Sequence, residues 1–368
     1  MENMDLRPLF GGSYTDLRVL VTGHTGFKGS WLCLWLQQMG AQITGLALPA
    51  DTTPSHWGLL QLDGVRNLEV DLRDSAALRA AIDAEQPHMV FHLAAQPLVR
   101  RSYRDPVGTF ATNVTGLVNL FEAVRGCASV RALVNATTDK VYLDQTTEDG
   151  YHEQHPLGGH DPYSTSKACA ELVSECYRKS FFSGVGQSQP RVATARAGNV
   201  IGGGDWSEDR LVPDLVRSAM AGAPLRVRNP HAVRPWQHVL EPLSGYLRLG
   251  QALLAGERAE GPWNFGPATD ATMPVAGLVA RMRELWPGVR DEPCNDSHPH
   301  EAATLRLDCG KAARELGWHP VWNATQTVER TIGWYRAFHE GNTVLSHSDL
   351  SAYVADARAA KLDWATSP

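Results

Sequence analysis

Seven residues between a short β-branched run and an apolar periodic stretch constrain this chain more than any others. Arg18-Val19-Leu20-Val21-Thr22 reads as a strand, and Gly23-His24-Thr25-Gly26-Phe27-Lys28-Gly29 follows it. Trp31, Leu32, Leu34, Trp35, Leu36 and Met39 then recur at helical spacing up to Gly40. Strand, glycine turn and helix in that order open a parallel α/β sheet. Glycines at this spacing permit a tight turn and let backbone N–H groups approach a pyrophosphate at the helix N-terminus. An ordinary tight turn is the plainer alternative. A strand before and a helix after are the context that a dinucleotide site requires. On that reading Gly23, Thr25, Gly26, Phe27, Lys28 and Gly29 line the cofactor's phosphates.

Further strands follow at α/β intervals. Residues 43–48 read as the second strand, but it ends Ala47-Leu48-Pro49-Ala50, and Asp51 comes late for an acid on the adenine ribose. The choice between NAD and NADP is open at that position. Val70-Asp71-Leu72 follows a third strand; Asp71 either faces the adenine or caps the helix over residues 75–84. Residues 89–93 form a fourth strand that runs into Leu93, Ala94, Ala95 and Gln96, small enough to pass close beneath a cofactor. Phe110, Val114, Leu117, Val118, Phe121 and Val124 repeat at helical spacing, as core or dimer contact. Asn113 on that stretch is either a polar core residue or part of a proton relay.

The chemistry sits further along. The apolar run 132–136 is a buried strand leading into Thr137-Thr138-Asp139-Lys140. Asp161 and Pro162 are a good N-cap and first residue for the next helix. Tyr163 and Lys167, four apart, share one face of it. A free tyrosine has a pKa of about 10, and an ammonium a few ångströms away lowers it by roughly a unit or more. Tyr-x-x-x-Lys is thus a way to build a base for an alcohol about to lose hydride. By itself the pair is also what a helix start with a surface lysine looks like; the glycine turn upstream gives it weight.

After a strand over 191–197 and Asn199, the composition changes at Gly202-Gly203-Gly204-Asp205-Trp206. The fold class expected is α/β: a Rossmann-type doubly wound parallel sheet with a smaller C-terminal substrate-binding lobe. Residues 15–199 form the sheet domain, joined by a returning segment near 236–265. Residues 200–235 and 266–345 form the lobe, and 346–368 a short, polar, peripheral tail. Helices are expected over 211–220, 239–254, 275–285 and 324–340.

Composition excludes other classes. Net charge is −6 and hydrophobic content 43%, with no long basic run, so nucleic acid is not an expected partner. No apolar stretch approaches the roughly 18 residues of a membrane span. Residues 1–17 lack the apolar core of a signal peptide. Six cysteines without a C-x-x-C pair read as reduced thiols of a cytoplasmic protein. His298 and His300 have no further ligands close in sequence, so no metal is expected; a loop near the nucleotide is the better reading.

Gly23-x-x-Gly26-x-x-Gly29, Leu93-Ala94-Ala95-Gln96, Asn113, Thr138-Asp139-Lys140 and Tyr163-x-x-x-Lys167 stand in order. With them the chain resembles the extended short-chain dehydrogenase/reductase superfamily, nucleotide-sugar branch, over residues 15–340. The stretches 22–31, 138–142, 199–206 and 234–239 narrow the likeness to the CDP-glucose 4,6-dehydratase family. The resemblance implies NAD as cofactor and a nucleotide sugar as substrate. It implies that Tyr163 accepts the O4 proton and that Lys167 lowers its pKa and holds the nicotinamide ribose. Thr138 hydrogen-bonds O4, and Asp139 protonates the leaving C6 hydroxyl. Related dehydratases carry Glu where Lys140 stands, so Lys140 is either the C5 base when neutral or a cation steadying the C5 enolate. The hydride leaves C4 and comes back to C6, closing a redox cycle. Arg210, Arg234, Asn199 and Trp236 are the substrate-binding candidates, because guanidinium groups bind diphosphate bidentately. The resemblance also implies a homodimer through helices near 109–125 and 162–182, with a tetramer as the larger alternative. The competing readings are a nucleotide-sugar 4-epimerase, a dehydratase of another nucleotide sugar, and an NAD-binding module without turnover.

Overall fold

The structure is a computed structural model and describes residues 4–144, 150–183, 189–227, 229–268, 272–293 and 306–366. His298, His300 and Cys294 lie outside them. Seven strands form one sheet: β1 (Arg18–Thr22), β2 (Gln42–Ala47), β3 (Val65–Glu69), β4 (Met89–His92), β5 (Ala132–Ala136), β6 (Arg191–Arg196) and β7 (Gly261–Asn264). Their order is β7-β6-β5-β4-β1-β2-β3. Every neighbouring pair is parallel. Parallel strands need crossovers, which put helices on both faces and make the strands apolar throughout. β4 and β5 are buried along their whole length.

The longer helices are α1 (Phe27–Gln38), α2 (Ser75–Glu85), α3 (Gly116–Arg125), α4 (Pro162–Ser180), α5 (Leu211–Met220), α6 (Leu240–Ala255), α7 (Val275–Leu285), α8 (Ala324–Gly341) and α9 (Ser346–Ala359). One face of the sheet packs Leu20, Leu46 and Val90 against Leu78 of α2 and Leu117, Phe121 and Val124 of α3. The other packs Val19, Val21 and Phe91 against Trp31 and Trp35 of α1 and Leu243 and Leu247 of α6. A separate apolar cluster joins Trp206, Leu215, Leu278, Met282, Ile332 and Trp334, from the segments expected to form the lobe.

Two expectations change and one open choice is narrowed. Residues 346–366 are not peripheral: α9 buries Leu350, Tyr353, Val354 and Ala357 in the main core, and Trp364 stacks on Phe10 with ring centroids 5.0 Å apart. Truncating a buried aromatic of this kind costs about 3–5 kcal/mol, so the segment belongs to the domain. The helix expected through Asn113 is interrupted by a π-helical turn, Ala111–Thr115, between the short helix Pro106–Phe110 and α3. And the cap of α2 is Asp74, which accepts from the N–H groups of Ala76 and Ala77. Asp71 is instead held by Arg73, whose guanidinium lies 2.5 Å from it.

Candidate active site

Strand ends of a doubly wound sheet open where the crossovers reverse direction, and ligands bind in that crevice. Here a cleft of about 950 Å³ runs from the glycine turn past the ends of β4, β5 and β6 to the lobe. Gly23, Thr25, Gly26, Phe27, Lys28 and Gly29 line one end, with Asp71, Leu72, Leu93, Ala94 and Ala95. Thr138, Asp139, Lys140, Tyr163 and Lys167 line its middle, and Asn199, Arg210, Arg234 and Trp236 the lobe side.

The glycine turn is as tight as its sequence requires. Gly23 has φ +75°, and a Cβ there would stand 2.6 Å from the Ala94 nitrogen. A Cβ on Gly29 would stand 2.2 Å from the Gly23 carbonyl oxygen. Gly26 is the N-cap of α1 and brings no side chain to occupy the helix N-terminus. These features fit a dinucleotide pyrophosphate. Lys28 runs inward from this turn to within 3.5 Å of the Tyr246 hydroxyl on α6. Burial, and then the positive charge of Arg210, push Lys28 down to about 7.

Two predicted cofactor residues hold the wall rather than face the cleft. Asn113 accepts from the Gln96 N–H at 2.8 Å and donates to the Gln96 carbonyl and to Ser166 Oγ. It clamps the loop after β4 onto α4, the polar-core alternative. The Gln96 side chain turns to Leu98 and Thr109. Asp51 pairs with Arg101 at 2.8 Å, at the cleft mouth.

The central cluster is packed close. Asp161 caps α4 by accepting from the Ser164 N–H at 3.0 Å, and the Tyr163 N–H donates to Ser102 Oγ at 3.1 Å. Lys167 Nζ donates to the Ala136 carbonyl at 3.0 Å. Thr138 Oγ1 donates to Asp139 Oδ1 at 3.0 Å, and the Asn199 amide donates to Oδ2 at 3.3 Å. Lys140 Nζ lies 3.8 Å from Asp139. Sequence reading missed Gly198: a Cβ there would come within 1.9 Å of the Asp139 carboxylate, so that glycine makes the acid's room.

The electrostatics qualify one expectation. Burial pushes Tyr163 up to about 12, opposed by a hydrogen bond with Thr138 and by Arg210. Burial likewise pushes Lys167 down to about 8. The drop expected for Tyr163 from Lys167 is not found: burial dominates, because removing water from a phenolate disfavours it, and the groups that act against it are Thr138 and Arg210.

On the lobe side Arg210 pairs with Asp205 at 2.8 Å. Trp236 donates its indole N–H to the Met273 carbonyl at 3.1 Å, and Arg234 donates to the Val233 carbonyl. A side pocket of about 150 Å³ opens beside Asn199, Arg234 and Trp236 and is also lined by Asp209, Asp214 and Arg226. Among the described residues no helix is long and apolar enough to cross a membrane.

Comparison with known proteins agrees with this geometry. The chain is 47% identical over 348 residues to the CDP-glucose 4,6-dehydratase of Salmonella typhimurium, covering 92% of this chain and 96% of that one. The Thermus thermophilus UDP-glucose 4-epimerase, solved in complex with NAD, superposes with TM-score 0.75 at 26% identity, covering 87% of this chain and 99% of that one. DesIV, a dTDP-glucose 4,6-dehydratase from Streptomyces venezuelae solved with NAD and TYD bound, gives TM-score 0.71 at 26% identity, covering 87% and 97%. Residues 19–266 match the profile of one family from the first sheet strand to the last, and the chain belongs to it: the NAD dependent epimerase/dehydratase family.

Proposed function

We propose that this chain converts CDP-D-glucose to CDP-4-keto-6-deoxy-D-glucose by an NAD-dependent 4,6-dehydration. The observation that carries the reading is Asp139, a buried carboxyl in contact with Thr138 in the same cleft as Tyr163. A 4-epimerase needs no acid for a departing hydroxyl; loss of the C6 hydroxyl does. The Salmonella typhimurium relative supports the choice of sugar nucleotide.

NAD held at the glycine turn supplies a hydride acceptor for C4 and a donor for C6. Tyr163 takes the O4 proton as C4 becomes a ketone, with Thr138 hydrogen-bonded to O4 and the Lys167 ammonium favouring phenolate. The ketone acidifies C5–H. Lys140 takes that proton as a neutral amine, or as an ammonium steadies the C5 enolate while water or another group takes the proton. Asp139 gives its proton to the C6 hydroxyl, which leaves as water. C5 regains a proton when C6 becomes a methyl group, and the O4 proton held by Tyr163 balances the one that Asp139 gave up, so the net change is loss of one water. Arg210 and Arg234 grip the diphosphate, with Asn199 and Trp236 beside them, and Asp71 and Leu72 flank the adenine end.

Two copies pair through the helices near 109–125 and 162–182. In support, Leu172 is an exposed apolar residue on the second of these helices, and Val107, just before the first, is another. The absence of a membrane-crossing helix among the described residues is consistent with a cytoplasmic enzyme.

The test is incubation with CDP-glucose, dTDP-glucose and UDP-glucose, following the alkali-induced absorbance of a 4-keto sugar. A signal with CDP-glucose ahead of the other two is expected. A 4-epimerised product, or no keto sugar from any of them, overturns the reading.

A further inference from the structure

The steps above leave unused a buried carboxylate directly behind the reaction centre. Glu171 is 4% exposed and stands one helical turn beyond Lys167 on α4. It accepts from the hydroxyls of Thr137 and Thr194, the latter at 2.7 Å, and from the Arg196 guanidinium at 2.8 Å. Arg196, on β6, also donates to the Tyr142 hydroxyl at 2.8 Å and to the Glu153 carbonyl at 3.1 Å. Thr137 is the link that matters. It lies between Ala136, whose carbonyl holds Lys167, and the pair Thr138-Asp139. Its N–H donates to the Ala195 carbonyl at 2.9 Å, so both its backbone and its hydroxyl are fixed.

We infer that Glu171 is a positioning residue: with Arg196 it fixes the strand end presenting Thr138 and Asp139, and its negative charge supports the Lys167 ammonium. Burying an ion pair is costly unless its remaining hydrogen-bonding capacity is filled; two threonine hydroxyls fill that of the Glu171 carboxylate, while Arg196 Nε is left without a hydrogen-bond partner. Burial lowers Lys167, and the Glu171 charge acts against that fall. The other ionisable groups facing the pair are Lys28 on α1, His92 on β4 and Arg196 on β6. Lys28 repels the ammonium, and burial keeps His92 neutral at about 3. Turnover needs Lys167 charged beside Tyr163, so activity falls as pH rises through the lysine's pKa. Without the Glu171 charge that fall comes at lower pH.

This inference rests on Tyr163 and Lys167 performing the dehydration. The test is the pH profile of kcat for Glu171→Gln and Thr137→Val in the full chain with NAD. Glu171→Gln is expected to move the basic limb down by at least about half a pH unit. Thr137→Val, which breaks the link and keeps the charge, is expected to lower kcat without moving the limb. Glu171→Gln leaves Arg196 without its carboxylate, so the double variant with Arg196→Met is measured beside it. A limb that stays in place in the charge-removing variants overturns the inference. An NMR titration of ε-13C-labelled lysine, with Lys167 assigned through Lys167→Arg, reads the same shift without turnover. Failure of the proposed reaction is thereby distinguished from failure of this inference. An unmoved Lys167 titration in Glu171→Gln and in the double variant also overturns it.

Discussion

The floor of the cleft and its lobe wall are built differently. On the floor, Thr138, Asp139, Tyr163 and Lys167 are each at most 9% exposed. Each is fixed by short-range partners: the cap of α4, the Ala136 carbonyl, the space at Gly198. On the wall, the side chain of Arg210 is 33% exposed, and that of Lys140, where floor meets wall, 34%. These are long side chains whose present partners, Asp205 and Asp139, are carboxylates rather than backbone. Groups that move protons must be placed to within a fraction of an ångström, and burial with several partners achieves that. Groups that hold a charged ligand gain from reach and exchangeable partners. Floor substitutions should therefore act on kcat and wall substitutions on KM.

The sharpest break of that comparison is Tyr163→Phe, which keeps the ring and removes the proposed base. Turnover is expected to fall at least about a hundredfold with NAD binding retained, in the range of general-base removal. Near-normal turnover would mean that the floor does not carry the chemistry. Lys140 stands between the two regions and sharpens the contrast. If it is the C5 base, Lys140→Met and Lys140→Arg both lose exchange of C5–H with solvent while C4 oxidation survives as a bound-NADH signal. If it acts as a cation, Lys140→Arg keeps much of the exchange and Lys140→Met does not. Exchange at the normal rate in Lys140→Met removes both roles. The smallest effect is expected on the wall. Arg234→Met should raise KM for the sugar nucleotide roughly tenfold, the loss of one charge-assisted hydrogen-bonding group, and change kcat little. A kcat collapse there instead would erase the distinction between the regions.

The floor was more legible in the sequence than the wall or the tail, for physical reasons. The strand over Ala132–Ala136 and the cap at Asp161-Pro162 are local signals, set by residues adjacent in the chain. The space that Gly198 leaves for Asp139 is set by residues about sixty positions apart, and no local pattern announces it. Glu171 was within reach, because it falls four residues after Lys167 on the same helix face. α9 carried a readable apolar stripe at Leu350, Tyr353, Val354 and Ala357. Its polar intervening residues suggested a surface tail; the aromatic seat formed by Phe10, Trp35 and Trp364 is a tertiary feature. The π-helical turn at Ala111–Thr115 leaves the apolar spacing nearly helical, so periodicity does not reveal it.

The central claim is that the floor oxidises and reduces one and the same sugar. Substrate labelled with deuterium at C4 tests it most directly. With unlabelled NADH in the medium, the deuterium is expected at C6 of the 4-keto-6-deoxy product, with none from the added NADH exchanged in. Deuterium lost to solvent or found in free NADH would contradict an internal hydride return.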